Sequence, residues 1–320
     1  MKQGKSRFEF HLSKIETLFS QAASQENPAL WLFLHDLRTP VFMLEGLSKL
    51  YASLYNKQLF TELKVKFKEV EDVLGAIDYY AAFAKEFTAA GNIPHPVIKL
   101  LESKAKKKIE MLHSLLKQEN WFNGKRFNTI KDKLKEADWY HDEKETELFS
   151  DFYTKEIKKI EEFAGATNFV FDNVEEEVHE LRRKLRWLSI YPHALQGAIQ
   201  MKETMPASGV LSKYLTPEIV SSPFNQFPPA RNPGSVLLLD KNCFLALSWM
   251  IAELGKIKDD GLRIKALRDA LQENNLLNDT DALTETYQLL GTDYPTMEIL
   301  LKKAGEICKQ FFAENILHKL

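Results

Sequence analysis

Apolar residues recur along most of this chain at steps of three and four. Leu30, Leu34, Leu37, Val41 and Leu44 step by four, three, four and three, and Val174, Val178, Leu181, Leu185 and Leu188 repeat the same steps. Such spacing lays one apolar stripe along a helix. The period predicts helices over about 6–24, from Asn27-Pro28 to about Ala90, and over about 97–118, 126–137, 143–164 and 172–203. It resumes over about 238–255, 260–273, 279–290 and 295–317. Asn27 suits the N-cap of the second helix, with Pro28 in its first turn. The run from Gly91 to Pro96 is a break. Residues 206–233 hold six of the 12 prolines and read as a long loop or flap with at most a short helix. Val236–Leu239 has strand character but no obvious partner.

The two stripes are in phase. Each residue of the first stands 144 positions before its counterpart in the second. The same offset relates His35-Asp36-Leu37-Arg38 to His179-Glu180-Leu181-Arg182. Leu74-Gly75 with Asp78 is echoed by Leu254-Gly255 with Asp259. The interval from His to Leu-Gly is 39 in the first half and 75 in the second, and the proline-rich stretch accounts for most of the difference. Internal repetition decides architecture before any motif does. The sequence therefore predicts an all-α fold of two pseudo-symmetric helical bundles, 1–165 and 166–320, related by internal duplication. The proline-rich stretch at about 206–233 becomes a loop insertion in the second bundle.

A 320-residue chain with 44% apolar and 28% charged residues can build a sizeable core. Its net charge of −2 gives no overall bias towards nucleic acid or anionic membrane. Cys243 and Cys308 stand far apart, in no CxxC pattern, so neither a zinc site nor a disulfide framework is expected. The sequence shows no apolar run of 18 residues and no N-terminal signal pattern, so a cytoplasmic location is expected. Charge is nonetheless segregated. Lys99 to Lys135 carries 11 Lys/Arg against four acids, and Glu136 to Glu180 carries 15 acids against four lysines. The basic run reads either as a ligand-binding face or as solvated helix surface.

Candidate chemistry centres on the repeated histidines. His179, Arg182 and Arg186 recur at i, i+3 and i+7, and Arg183 widens that side of the helix. Guanidinium groups give forked, charge-assisted hydrogen bonds to phosphate oxygens. The competing reading is pairing with the acids upstream, Glu175 and Glu176. In the first copy His35 and Arg38 keep their places, but Phe42 replaces the third cation, and Thr39-Pro40 replace Arg183-Lys184. Pro40 is expected to kink or break the helix. His35 on its own reads equally as a buried histidine satisfied by a neighbour. Glu176/His179 and Glu110/His113 have the ExxH spacing of di-metal bundles, but no further core glutamates stand out, so no metal is expected. HExxH, GxSxG, P-loop and GxGxxG motifs are all missing from the sequence. The chain is therefore expected not to be an enzyme and to need no cofactor.

An HxxR helix with following basic residues, then Leu-Gly-x-x-x-Asp, resembles the CHAD family. The motif is fullest in Val178–Trp187 and partial in Leu34–Leu44, and the likeness in organisation covers most of the chain. Ile77 stands before Asp78 where that family typically has Arg. The resemblance implies two four-helix bundles related by pseudo-symmetry, with histidines and basic residues facing a central groove that binds inorganic polyphosphate. Carried onto this chain, it implies a polyanion held by His179, Arg182, Arg183 and Arg186, with His35 and Arg38 contributing from the other half. No sequence-specific nucleic-acid or membrane partner is expected. A second reading is a helical scaffold that has lost the basic groove. A third comes from His35-Asp36-Leu37-Arg38-Thr39-Pro40, which is similar to the phosphoacceptor box of sensor histidine kinases and implies phosphotransfer through His35.

Overall fold

The computed structural model describes residues 2–204, 209–275 and 277–320. Helices dominate. In chain order they are α1 (Gly4–Ala22), α2 (Pro28–Leu34), α3 (Arg38–Leu54), α4 (Lys57–Ala90), α5 (His95–Gln118), α6 (Lys125–Glu136) and α7 (Asp142–Ala166). A π-helical turn over Val174–His179 leads into α8 (Glu180–Ala194). Strand β1 (Ile199–Lys202), the short α9 (Pro217–Ser221) and strand β2 (Leu237–Asp240) follow. The chain then forms α10 (Lys241–Asn275), α11 (Asp279–Leu290) and α12 (Met297–Ala313). None of the helices, among the described residues, is long and apolar enough to cross a membrane.

The helix expected from Asn27 to Ala90 is three helices. Asn27 caps the first, its side chain accepting from the Leu30 amide at 3.1 Å. That helix stops at Leu34, because Asp36 takes a left-handed conformation, φ 58°. Asp is among the few residues that tolerate this region. Its carboxylate then caps α3, accepting from the Thr39 amide at 3.3 Å and the Thr39 hydroxyl at 2.8 Å. The break thus lies ahead of Pro40, which falls in the first turn of α3, where a missing N–H costs no helical bond. The apolar stripe of the first half is interrupted in consequence, and Leu34 is 66% exposed. All five members of the second stripe are buried.

Three further corrections concern the second half. The helix expected over 172–203 ends at Ala194. Gln196 and Gly197 turn through positive φ, and the chain continues as β1. β1 is the partner that Val236–Leu239 lacked: it pairs in parallel with β2, Ile199 opposite Leu237. The helices expected over 238–255 and 260–273 are one continuous α10. Gly261 does not end it. A Cβ there would meet Val174 Cγ2 at 2.7 Å, so the glycine admits the π-helical turn against α10. Of the proline-rich stretch, residues 206–208, with Pro206, lie outside the described residues. From residue 209 on it is a tethered strap. Tyr214 donates to Glu314 at 2.6 Å, Ser248 to Asn225 at 2.6 Å, and Gln200 to the Pro228 carbonyl at 2.8 Å.

The chain forms two compact units. The first comprises 2–139 and 263–294, and the second 140–262 and 295–320. The crossings fall at 139/140, 262/263 and 294/295, whereas the sequence suggests a single division at 165/166. In the first unit, α3 and α4 pack along their length, and Phe8, Tyr51, Phe60 and Trp139 form an aromatic cluster with ring centroids 5.4–5.9 Å apart. The returning segment is fastened there by Arg263, which bonds Glu86 and the Tyr294 hydroxyl, and by Asn92, which donates to the Leu289 carbonyl at 2.6 Å. The second unit has its own core, in which Phe152 and Trp187 pack on Tyr191.

Candidate functional site

In the second unit, Asn173 starts the π-helical turn, its side chain accepting from the amides of Glu175 (2.8 Å) and Glu176 (3.1 Å). His179 closes that turn and stands half-buried at the start of α8. π-helical turns recur at functional sites. Burial pushes the His179 pKa down, and the charges of Lys258, Arg182 and Arg183 push the same way against Glu175. The imidazole therefore sits in locally positive potential. A shallow pocket of about 380 Å³ opens beside it, lined by Glu175, Glu176, His179, Glu180 and Arg183. Three of those five residues are carboxylates.

Of the three arginines, Arg183 lines this pocket, and Arg182 and Arg186 are not among its lining residues. Arg182 crosses to α10, where its Nε donates to the Ile251 carbonyl at 3.1 Å. Its guanidinium lies against Gly255, where a Cβ would be 3.0 Å from Nε. Burial lowers the Arg182 pKa, and the carboxylate of Asp259 opposes that shift. Arg183 pairs with Glu180 at 2.6 Å, and Lys184 shares the same carboxylate at 3.2 Å. Arg186 is exposed on the far side of α8 from the buried stripe.

The first unit repeats the arginine arrangement. Arg38 directs Nε and Nη2 at Glu71 Oε1 (3.0 and 2.9 Å) and Nη1 at Asp78 (2.7 Å). A Cβ on Gly75 would lie 3.0 Å from Nη2. In both units, then, the arginine of the HxxR motif lies across the glycine of a Leu-Gly pair, with an aspartate one turn further along the glycine's helix. Glycine is the residue that lets a planar guanidinium approach the partner helix this closely. The repeated residues fasten helix to helix.

His35 is exposed rather than buried. Its ring stacks on Trp31, centroids 3.7 Å apart and planes at 13°, and Nδ1 lies 2.8 Å from the Trp31 carbonyl. A carbonyl accepts only, so the proton belongs on Nδ1, and the lone pair on Nε2. The acid that follows, Asp36, is committed to capping α3. Among the described residues, no group of three or more His, Cys, Asp or Glu has metal-ligand placement. His113 of the second ExxH pair packs on Phe122 at 5.3 Å.

Compared with family models, with curated proteins and with solved structures, the chain gives no match.

Spacing alone does not indicate Glu71, which takes two bonds from Arg38, although it lies one helical turn before Gly75. The Ile251 carbonyl had no signal at all, because backbone acceptors leave none in a sequence. Glu45 was also missed. It is a carboxyl 6% exposed in the middle of α3, two turns beyond Arg38.

Proposed function

We propose that this chain is a non-enzymatic, CHAD-like helical scaffold, in which the arginines of a duplicated motif act as clasps between helices. The observation that carries the reading is the paired placement of Arg38 over Gly75 and Arg182 over Gly255, each engaged by groups of its own unit. An arginine already bonded to carboxylates or carbonyls has fewer of its five N–H donors left for a phosphate. The duplication is then of a helix pair, α3 with α4 and α8 with the part of α10 before residue 263, since 263–294 belongs to the first unit. An experimental structure in which those pairs fail to superpose on their Arg and Gly positions would end the duplication.

Polyanion binding is the second reading, and the positive surroundings of His179 favour it. Near neutral pH its cations would be Arg183 and Arg186, with His179, its pKa pushed down, as a neutral hydrogen-bonding group and Arg182 held back by its clasp. Titration calorimetry with long-chain polyphosphate at low salt separates the two. The scaffold reading expects no saturable heat from folded protein. Saturable heat that weakens steeply with salt and is lost in Arg183→Ala/Arg186→Ala would replace it with the polyanion reading.

The exposed Nε2 of His35 makes the phosphotransfer reading testable as well. Incubation with acetyl phosphate or phosphoramidate is expected to leave His35 unlabelled, because the neighbouring Asp36 is occupied as a cap. Stoichiometric label that disappears in His35→Gln would overturn that expectation.

A further inference from the structure

Within the first unit, α4 and α6 leave a groove between them, because α6 packs chiefly on α1. Two ion-pair bridges span it. At one end Lys133 of α6 meets Glu62 of α4. At the other, Lys66 of α4 (3.3 Å) and Arg126 of α6 share Glu119, which stands at the end of α5. Between the bridges lies a cavity of about 430 Å³, a volume in the range of small-ligand pockets. Its walls are hydrocarbon, Leu63 and Val65 from α4 and Ile130 from α6, and nearly all the surface it exposes is carbon. Val65 is left 47% exposed. The rim is cationic: Lys66, Arg126 and Lys133 line the groove against one carboxylate, Glu62.

The two cations that share Glu119 keep donors in hand. Arg126 spends Nε on the Glu119 carbonyl at 3.0 Å and Nη2 on its carboxylate, while Nη1 makes no bond within the described chain. A guanidinium has five N–H groups, so more than half of them stay open. Lys66 bonds Glu119 at 3.3 Å and Glu69 at 3.1 Å. The Lys66–Glu69 pair lies one turn apart on α4 with both side chains more than a third exposed, and such pairs are weak. An anion can therefore take the place of Glu69 at Lys66 at small cost. We propose that the α4–α6 groove binds an amphipathic anion, an aliphatic carboxylate of medium chain length, with its chain on Leu63, Val65 and Ile130 and its carboxylate on Arg126 and Lys66. Covering the carbon walls supplies affinity in proportion to the apolar area buried, and the open guanidinium donors orient the head group. A bare phosphate would gain nothing from those walls, and an uncharged chain would leave the donors unused. The groove uses none of the clasp residues, so its failure would leave the scaffold reading standing.

Methyl NMR of the full wild-type chain, titrated with octanoate below its micelle concentration, tests this without depending on any variant. Saturable shifts are expected at Leu63, Val65 and Ile130. Octan-1-ol, which has the chain without the charge, should bind about tenfold more weakly, the worth of one hydrogen bond to a charged group. Octanoate that leaves those methyls unmoved, or octan-1-ol that matches it, overturns the proposal. Two variants, each checked for folding by circular dichroism, then locate the ends of the ligand. Val65→Asp sets a carboxylate on an already exposed position of the wall and should abolish octanoate binding. Retained binding in that variant overturns the groove as the site. Arg126→Gln should weaken octanoate by about tenfold and leave octan-1-ol unchanged. Equal weakening of both ligands, or of neither, overturns the placement of the carboxylate.

Discussion

Replacing Arg182 with Ala should destabilise the second unit by about 1.5–3 kcal/mol, the range for a buried hydrogen bond to a charged group. The loss has two sources. The Ile251 carbonyl loses its Nε–H donor, and the surface over Gly255 is left uncovered. Arg182→Lys should recover little, because an ammonium is a point charge and cannot lie flat across a glycine. Arg38→Ala in the first unit should cost a similar amount: Asp78 is left in water at 57% exposure, but Glu71, 14% exposed, loses both of its bonds. Chemical denaturation followed by hydrogen exchange in each unit gives both numbers. If Arg182→Ala leaves the exchange of α8 and α10 unchanged, the clasp is not structural, and the polyanion reading gains. The two units need not unfold together, so a single global midpoint is not the quantity to compare.

Gly305→Ala should destabilise the second unit by about 1–2 kcal/mol net of the gain in helix propensity. Gly305 is buried in α12, and a Cβ there would stand 2.3 Å from the Phe169 carbonyl oxygen. Backbone cannot rotate away as a side chain would, so α12 and the turn at Asn168-Phe169 must separate. Overpacking of this kind costs about 1–3 kcal/mol. The gain in helix propensity of about 1 kcal/mol from Gly to Ala offsets only part of it. Gly165→Ala serves as the control, because nothing lies within 4 Å of a Cβ at that helical position. A thermal melt in which Gly305→Ala and Gly165→Ala behave alike would refute the account of that contact.

The sequence singled out the clasp residues but not the groups that face them. The repeated His-acid-Leu-Arg and Leu-Gly elements pointed to Arg38, Arg182, Gly75 and Gly255, and all four prove to be special positions. Spacing shows where cations sit but not what faces them. Glu71 and the Ile251 carbonyl lie on other helices, 33 and 69 residues away from their arginines. The break at His35–Leu37 was hidden because a single capping aspartate ended a helix whose apolar period continued past it. The β1–β2 pair was hidden for another reason. Its strands are four residues each, and 38 positions separate Ile199 from Leu237, so neither has enough alternation to be read alone. Helix content, by contrast, was legible throughout, because long amphipathic periods need no knowledge of their partner.

The order in which the chain visits its units bears on how it can be made. Residues 263–294, which complete the first unit, are translated only after all of 140–262. A ribosome adding about 5–20 residues per second needs roughly 8–30 s to travel from residue 140 to residue 294. Through that interval the nascent first unit lacks Arg263 for Glu86 and the Leu289 carbonyl for Asn92. Its apolar surface waits uncovered for a segment not yet synthesised. A nonsense codon after residue 262 would strand both units at once, the first without its returning helices and the second without α12.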